Sequence, residues 1–164
     1  MLFKFIGCLA RGLLLLCSWR CQFDKSAIHK TIRMRDGLSF RVFRRVTIRA
    51  IDKPAPEATF IIRFMPKGMS VRANVVFSYI PMVVMLGFPG FRSKYWCVDD
   101  QTGRCQGVYE WQRIEDAQQY SASFAVGFME MRSVPGSISF EIIDQRGIPN
   151  SGIYSVYDQP AQLS

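Results

Sequence analysis

Apolar and polar residues alternate with a period of two between residues 31 and 51, the clearest pattern in the chain. Such alternation is typical of β-strands with one buried face. Asp36 and Gly37 interrupt it with a dipeptide common in tight hairpin turns. The pattern predicts a β-hairpin whose apolar face consists of Ile32, Met34, Leu38, Phe40, Val42, Val46, Ile48 and Ala50, and whose basic face consists of Arg33, Arg35, Arg41, Arg45 and Arg49.

The basic face of this hairpin is either a solvated strand surface or a contact for anionic lipid headgroups, which attract juxtaposed arginines. Nucleic acid also attracts arginine. We do not expect it as a partner, because Phe43 is the one aromatic residue among these arginines and no recognition motif accompanies them.

Residues 57–146 alternate between strand and helix patterns. Strands are expected at 59–65, 91–98, 104–112 and 137–144. Ser70 is placed to cap a first helix, which we expect to kink or break at Pro81. A second helix carries an apolar stripe at spacings of three and four residues, formed by Ala117, Tyr120, Phe124, Phe128 and Met131. The order βαββαβ predicts an α+β, ferredoxin-like domain.

The alternation also assigns side chains to the two faces of the predicted sheet. Both helices cover one face, and the other face is expected to remain uncovered. We expect Cys97 opposite Cys105, which places Arg92 opposite Glu110 in a cross-strand ion pair. A mixed open face of this kind is expected to pair with a second copy of the chain, so that two sheets enclose a lumen; its expected members include Arg63, Arg92, Lys94, Trp96, Glu110 and Glu141.

Residues 1–21 predict an amphipathic helix. Lys4, Arg11 and Ser18 recur every seven residues and form a narrow polar stripe between apolar residues. These charges leave too short an apolar run for a bilayer span, and no small-residue cleavage site follows. One interpretation is a helix lying in the interface of an anionic membrane, with Lys4, Arg11, Leu14 and Trp19 in contact with it. The alternative is a helix docked on its own domain or on a partner.

Composition adds an uneven charge distribution. The net charge is +8; residues 1–50 carry 11 basic and 2 acidic side chains, and residues 51–164 carry 10 and 11. With the Pro54–Pro56 boundary, this predicts a helix at 1–22, a basic hairpin extension at 23–56, a ferredoxin-like domain at 57–146 and a C-terminal tail at 147–164. Five cysteines and one histidine predict reduced thiols and no metal site. A cytoplasmic location, at or near the inner membrane face, is therefore expected.

Residues 87–120, GFPGFRSKYWCVDDQTGRCQGVYEWQRIEDAQQY, followed by the SVPGSISFEI strand, resemble the YdhR-type monooxygenases. The shared features are a GFPGF turn before an SKxW strand, an acidic-T-G hairpin, a G-x-Y-E-W strand and an A-x-x-Y helix. That family belongs to the dimeric α/β-barrel superfamily, with the antibiotic-biosynthesis monooxygenases. The resemblance covers about residues 57–146 and implies a homodimer whose lumen binds a small, mostly apolar molecule.

Some members of this superfamily oxidise aromatic substrates with O₂ and without metal or flavin, whereas others cleave haem. Residues 57–146 contain no histidine, so ligation of haem by histidine is not expected. The resemblance implies catalytic roles for Asn74, Arg92, Trp96 and Glu110, and substrate contacts by Arg63, Lys94, Tyr109 and Glu141. It implies no cofactor. By residue type, a tryptophan such as Trp96 is more often a core residue than a catalytic one. Asn74 is also accounted for as a residue near the start of a helix. The alternatives are a non-catalytic module at a membrane surface and a structural dimer.

Overall fold

The computed structural model describes residues 2–49, 54–146 and 152–158. In chain order the strands and helices are α1 (Leu2–Cys17), β1 (Cys21–Phe23), β2 (Thr31–Met34), β3 (Ser39–Ile48), β4 (Ala58–Phe64), α2 (Val71–Phe77), α3 (Tyr79–Leu86), β5 (Phe91–Val98), β6 (Cys105–Trp111), α4 (Ile114–Ser121), α5 (Phe124–Met131), β7 (Ser139–Asp144) and β8 (Tyr154–Tyr157).

The eight strands of the described residues belong to one antiparallel sheet. Its order is β7-β4-β6-β5-β3-β2-β8, and β1 pairs with β3. Strands β4, β5, β6 and β7, with helices α2 to α5, form the βαββαβ unit that the sequence predicted. The predicted hairpin is also present, with Gly37 at φ +85° in its turn. Its strand β3 pairs with β5, so the hairpin extends the central sheet.

The second face of the sheet is covered by the chain itself, and the expectation of an uncovered face was wrong. The sheet curls, and β2, β3 and β8 bring apolar side chains onto the face opposite the helices. These side chains form a core with residues of β4, β5 and β6; its largest members are Ile32, Met34, Phe40, Val42, Ile61, Tyr95, Val108, Ile153 and Tyr154. The sheet face on which a second copy of the chain was expected to pack is therefore covered by this chain's own hairpin and by strand β8.

Ion pairs join the two ends of the curled sheet. Arg63 on β4 binds Asp36 of the hairpin turn, with Nη1 and Oδ2 2.6 Å apart. Arg35 lies 3.6 Å from Glu141 on β7, measured between Nη2 and Oε2. Its backbone N–H donates to the carbonyl of Ile153. Hairpin and ferredoxin-like unit are thus linked by charge as well as by strand pairing.

The expected register of the β5–β6 hairpin was wrong by one residue. Cys97 lies opposite Gln106, and Val98 lies opposite Cys105. A bulge between Phe91 and Ser93 shifts the pairing at the other end of the hairpin, and Ser93 takes the place opposite Glu110. Because side chains alternate between faces, a slip of one residue moves a whole strand's side chains to the other face. Lys94 and Trp96 therefore face the helices, and Arg92 does not lie opposite Glu110 as the expected ion pair requires.

Both predicted helices are broken into two. The first breaks at Ser78, where α2 ends and α3 begins, and not at Pro81. Pro81 is accommodated because it stands in the first turn of α3, where backbone N–H groups have no helical acceptor. The second helix breaks before Ser123, whose hydroxyl accepts from the N–H of Ala125 and caps α5.

Helix α1 packs on α3 by close backbone contact. A Cβ atom at Gly12 would lie 1.9 Å from the carbonyl oxygen of Val83, and one at Gly87 would lie 1.8 Å from that of Cys8. One face of α1 therefore lies against the chain's own helix α3. Its opposite side remains exposed. Within the described residues, no helix is both long enough and apolar enough to cross a bilayer.

The basic face of the hairpin is largely paired with carboxylates of the same chain. Besides Arg35, Arg41 binds Asp100 and Arg45 binds Asp24. A bulge between Val42 and Arg44 reverses the expected alternation along β3, so that Val46 joins the core beneath the helices and Arg44 is buried.

Candidate functional site: an apolar cavity with a buried lysine

A cavity of about 420 Å³ lies between the helices and the strands β5 and β6. Its wall is mainly aromatic and methionine side chains, contributed by both layers. Such a wall suits a flat, apolar molecule, because a ligand cavity of this size buries most of the ligand's surface against its lining. The apolar lining residues include Phe43, Phe64, Phe77, Met82, Met85, Trp96, Phe124, Phe128 and Met129.

Lys94 contributes a buried amine to this cavity. Its Nζ donates a hydrogen bond of 2.6 Å to the hydroxyl of Tyr109. The same nitrogen lies 4.3 Å from the ring centre of Trp96 and 4.0 Å from that of Tyr109. The residue is 7% exposed, and none of the ion pairs in the described residues involves it. A buried ammonium without a carboxylate is costly, so this position favours the neutral amine.

Strand register places this lysine. Lys94 lies opposite Tyr109, and Trp96 lies opposite Gly107. A Cβ atom at Gly107 would lie 2.5 Å from Cε2 of Tyr109 and 3.2 Å from Cε of Lys94. The absence of a side chain at Gly107 therefore leaves space for the Lys94 side chain and the Tyr109 ring, which lie close together on the sheet surface.

A second cation reinforces the effect of burial on the lysine. Arg44 is 5% exposed and stacks on the ring of Tyr79, with Cζ 3.5 Å from the ring centre. It donates to the hydroxyl of Ser78 at 2.8 Å and to the carbonyl of Val75 at 3.1 Å. Burial, and secondarily the positive charge of Arg44, lower the pKa of Lys94 well below its usual 10.5.

Hydroxyl, thiol and amide groups also contribute to the polar part of the wall. The Tyr120 hydroxyl donates to that of Tyr109 at 3.3 Å. Burial raises the pKa of both phenols, so both remain protonated and can donate. The amide of Asn74 donates to the thiol of Cys105 at 3.2 Å, and burial raises the pKa of that thiol to about 12. These groups are suited to hydrogen bonding with a neutral ligand.

The structure brings together half of the predicted site residues. Asn74, Lys94, Trp96 and Tyr109 all line the cavity, although Lys94 and Trp96 were expected on the opposite face. Arg44, Cys105 and Tyr120 were missed. The bulge that turns Arg44 inward leaves no mark in the alternation of apolar residues, whereas Tyr120 belonged to the apolar stripe of its helix and was assigned to the core.

The other predicted site residues lie outside this cavity. Arg92 donates to the carbonyl of Pro54 at 3.0 Å and to the side chain of Gln112. Glu110 accepts from the hydroxyl of Ser93 at 2.6 Å and from that of Tyr154 at 3.3 Å, on the face of the sheet opposite the helices. Arg63 and Glu141 line a separate polar hollow of about 170 Å³, next to Asp36 and Arg35. Their ion pairs link the two ends of the sheet.

Three of the four residues expected to contact a membrane lie on the exposed side of α1, and Trp19 follows the end of this helix. Lys4, Arg11, Leu14 and Trp19 are all exposed. Further apolar side chains accompany them on α1, namely Phe3, Ile6 and Leu13. In the described part of the chain, no three His, Cys, Asp or Glu side chains are grouped closely enough to hold a metal ion.

No family model and no curated protein matches this chain. Three solved structures are similar to it. A protein of Shewanella oneidensis is 13% identical, with a TM-score of 0.43 over 63% of this chain and 94% of that one. A ferredoxin-fold protein of Listeria monocytogenes, described as related to antibiotic biosynthesis monooxygenases, is 11% identical, with a TM-score of 0.46 over 65% and 63%. An anthrone oxidase-like protein is 11% identical, with a TM-score of 0.49 over 77% and 59%.

The second of these neighbours is described as a relative of the superfamily that residues 87–120 resemble. The chain spans less than two thirds of the second and third neighbours. The ferredoxin-like fold rests on this chain's own strand order, and the function has to be inferred from its own residues.

Proposed function

We propose that this chain binds a small, largely apolar aromatic molecule in the cavity beneath its helices, with one polar group of that molecule against Lys94 and Tyr109. The observation that carries this proposal is the contrast within the cavity wall. An extended aromatic and methionine surface surrounds one buried amine that has a hydroxyl as its hydrogen-bond partner. A ligand hydroxyl or carbonyl supplies the further polar contact that this amine can make.

Titration with 2-naphthol, a two-ring phenol, tests this proposal. We expect saturable binding of one molecule, measured by calorimetry. Ala125 lines the cavity, and Ala125→Leu should weaken binding by about tenfold or more, equivalent to about 1.4 kcal/mol. The matched control is Ala122→Leu, at an exposed position just outside the cavity. Equal affinities of the two variants, or no saturable binding by the unaltered chain, would contradict the proposal.

The reaction class that we propose for this site is oxygenation without a cofactor. The resemblance of residues 87–120 supports it, as does a buried amine able to accept a proton from an acidic C–H group. The resulting carbanion reacts with O₂, and the overall change is R₂CH₂ + O₂ → R₂C=O + H₂O. One oxygen atom enters the product and the other leaves in water, so no external reductant is needed. Lys94 takes the proton, and Trp96 and Asn74 hold the substrate.

Oxygen uptake with anthrone, a planar ketone with an acidic CH₂ group, tests this reaction. We expect chelator-resistant uptake that falls about tenfold or more in Lys94→Met, the range typical of a lost general base. Lys67→Met, an exposed lysine, is the control. If uptake is the same with and without Lys94, the oxygenase assignment is wrong, whereas the binding proposal stands on the 2-naphthol titration.

A second candidate function is attachment to an anionic membrane surface, favoured by the exposed side of α1. Leu14 is 69% exposed and Phe3 90% exposed, and both lie beside the cations Lys4 and Arg11. A helix with apolar residues flanked by cations suits the bilayer interface. The hairpin cannot be removed for a test, because β3 pairs with the central strand β5; point variants of the full chain are required.

Flotation with vesicles of phosphatidylserine and phosphatidylcholine provides that test. We expect the full chain to float with the vesicles and Phe3→Ser/Leu14→Ser to remain unbound. Leu38→Ser, which removes an exposed leucine from the hairpin turn, should float like the unaltered chain. Equal flotation of all three proteins, or none by the unaltered chain, would rule out this use of α1.

A further inference from the structure

The surroundings of Lys94 fit a nucleophile better than a structural ion. Structural lysines are paired or reach solvent. Lys94 is 93% buried, and its amine meets a phenol hydroxyl and two aromatic faces. Desolvation in an apolar pocket, together with a neighbouring cation, is a known way of activating a lysine for attack on carbonyl carbon. Arg44 is that neighbouring cation.

We propose that Lys94 forms an imine with an aromatic aldehyde or ketone bound in the cavity. This rests on the binding function proposed above and specifies its ligand class as a carbonyl compound. Three observations support it: the amine lines the cavity, the hydroxyl of Tyr109 lies 2.6 Å from it, and no carboxylate of the described residues forms an ion pair with it.

The chemistry balances without any further reactant. Lys94 Nζ attacks the carbonyl carbon, and one N–H proton passes to the carbonyl oxygen to give a carbinolamine. The carbon–hydroxyl bond then breaks, and the hydroxyl leaves as water with a proton from the Tyr109 hydroxyl. The remaining N–H proton returns to the Tyr109 oxygen. The net change is RCHO + Lys94–NH₂ → RCH=N–Lys94 + H₂O, and the apolar wall favours loss of water to the bulk solvent.

Tyr109 is placed to serve as the proton donor in this sequence. Burial raises the pKa of its phenol well above 10.0, and Tyr120 reinforces this, so the proton is present at neutral pH. The Tyr120 hydroxyl, 3.3 Å from that of Tyr109, can donate a hydrogen bond to the Tyr109 oxygen while the Tyr109 proton is transferred. Tyr109→Phe should therefore slow imine formation by a larger factor than it weakens the binding of 2-naphthol, which loses one hydrogen bond of modest net value.

Reductive trapping with 2-naphthaldehyde and cyanoborohydride at pH 7 tests the proposal, followed by peptide mass spectrometry. The aldehyde has the same rings as 2-naphthol and replaces the hydroxyl by a carbonyl. We expect the naphthylmethyl group on Lys94 about tenfold or more in excess of Lys25 and Lys67, which are exposed and lie outside the cavity. Excess 2-naphthol should suppress the labelling.

Two lysine variants make the result specific. Lys94→Arg keeps the charge and Lys94→Met removes it; both should abolish cavity labelling, whereas Lys67→Arg should leave it unchanged. If the unaltered chain binds 2-naphthol but traps no aldehyde on Lys94, or labels exposed lysines equally, the imine proposal is overturned and the binding function remains. If it binds no 2-naphthol at all, the binding function fails first.

Discussion

The amine of Lys94 and the hydroxyl of Tyr109 lie 2.6 Å apart at the wall of an apolar cavity. They face each other because residues 94 and 109 are paired across two central strands and because glycine at position 107 leaves both side chains room. Both residues are buried. An amine in this setting loses the hydration that normally stabilises its charge. The relationship therefore links strand register directly to the chemistry that the cavity can support.

Replacing Lys94 by methionine should stabilise the fold. The pKa of Lys94 is lowered in the folded chain, so the unfolded chain binds the proton more tightly and burial costs stability below the usual pKa of 10.5. We expect Lys94→Met to raise the free energy of unfolding by about 1–4 kcal/mol at pH 7, as when other buried ionic groups are replaced by apolar ones. Urea unfolding at several pH values measures it.

The pH dependence of the stability gained by Lys94→Met shows whether the gain comes from removing the charge or from better packing of methionine. Because the lysine is neutral in both states at high pH, the gain should shrink as the pH rises toward and above 10.5. Lys67→Met, at an exposed position, should change stability by no more than about 0.5 kcal/mol. A gain that is the same at pH 7 and at pH 11 would show that the charge of Lys94 is not the cause.

Asp36 should contribute to stability through its contact with Arg63. Burial acts to raise the pKa of Asp36, but the hydrogen bonds from Arg63 and from the N–H of Leu38, with the charge of Arg63, bring it below 3.8. This contribution is present above the unfolded pKa and is lost as the pH falls through the folded value. Asp36→Asn should cost about 0.5–1 kcal/mol at pH 7, since the carboxylate is partly exposed.

Thermal unfolding across the acidic range tests the role of Asp36. The difference between Asp36→Asn and the unaltered chain should shrink as the pH falls through the lowered pKa of Asp36, because the folded carboxyl then becomes protonated as well. Glu130→Gln, which removes an exposed carboxylate on α5, should leave stability nearly unchanged at pH 7. An Asp36 variant as stable as the Glu130 variant would show that the ends of the sheet do not depend on this ion pair.

Glycine at position 87 should be necessary for the docking of α1. A methyl group there would lie 1.8 Å from the carbonyl oxygen of Cys8, and the backbone of Gly87 has an ordinary φ of −79°. Gly87→Ala therefore introduces a clash without backbone strain. We expect a loss of about 1–3 kcal/mol, as for other overpacked sites, and faster hydrogen exchange of the α1 amides.

Gly7 supplies a control of opposite sign on α1 itself. A methyl group at Gly7 meets no atom within 4 Å, and alanine is the better helix former by about 0.5–1 kcal/mol. Gly7→Ala should therefore keep or increase the protection of α1. If both variants leave α1 equally protected, its packing on α3 is not what holds it.

Sequence patterns predicted the strand and helix order and the hairpin turn at Asp36 and Gly37, because periodicity and turn chemistry are local. The same patterns failed to predict strand register, where a shift of one residue changes which face a side chain occupies. The bulge after Phe91 and the register opposite Cys97 depend on long-range pairing, and a slip of one residue reversed the faces of Lys94 and Trp96.

The coverage of the second sheet face was missed for a related reason. The apolar face of the hairpin was recognised, but alternation does not reveal which surface it covers. Pairing of β3 with β5 answers that question. Asn74 and Tyr109 were named as site residues by type, through the resemblance, and the cavity brings them together with Lys94; their roles stay predictions.

Methionine methyl signals give the most direct test of where a ligand binds. Met82, Met85 and Met129 line the cavity, whereas Met34 is buried in the core on the other side of the sheet. In a spectrum of the full chain with ¹³C-methyl methionine, addition of 2-naphthol should shift the signals of Met82, Met85 and Met129 and leave that of Met34 in place. A shift at Met34 without shifts at the three cavity methionines, or no shift at any of them, would contradict binding beneath the helices.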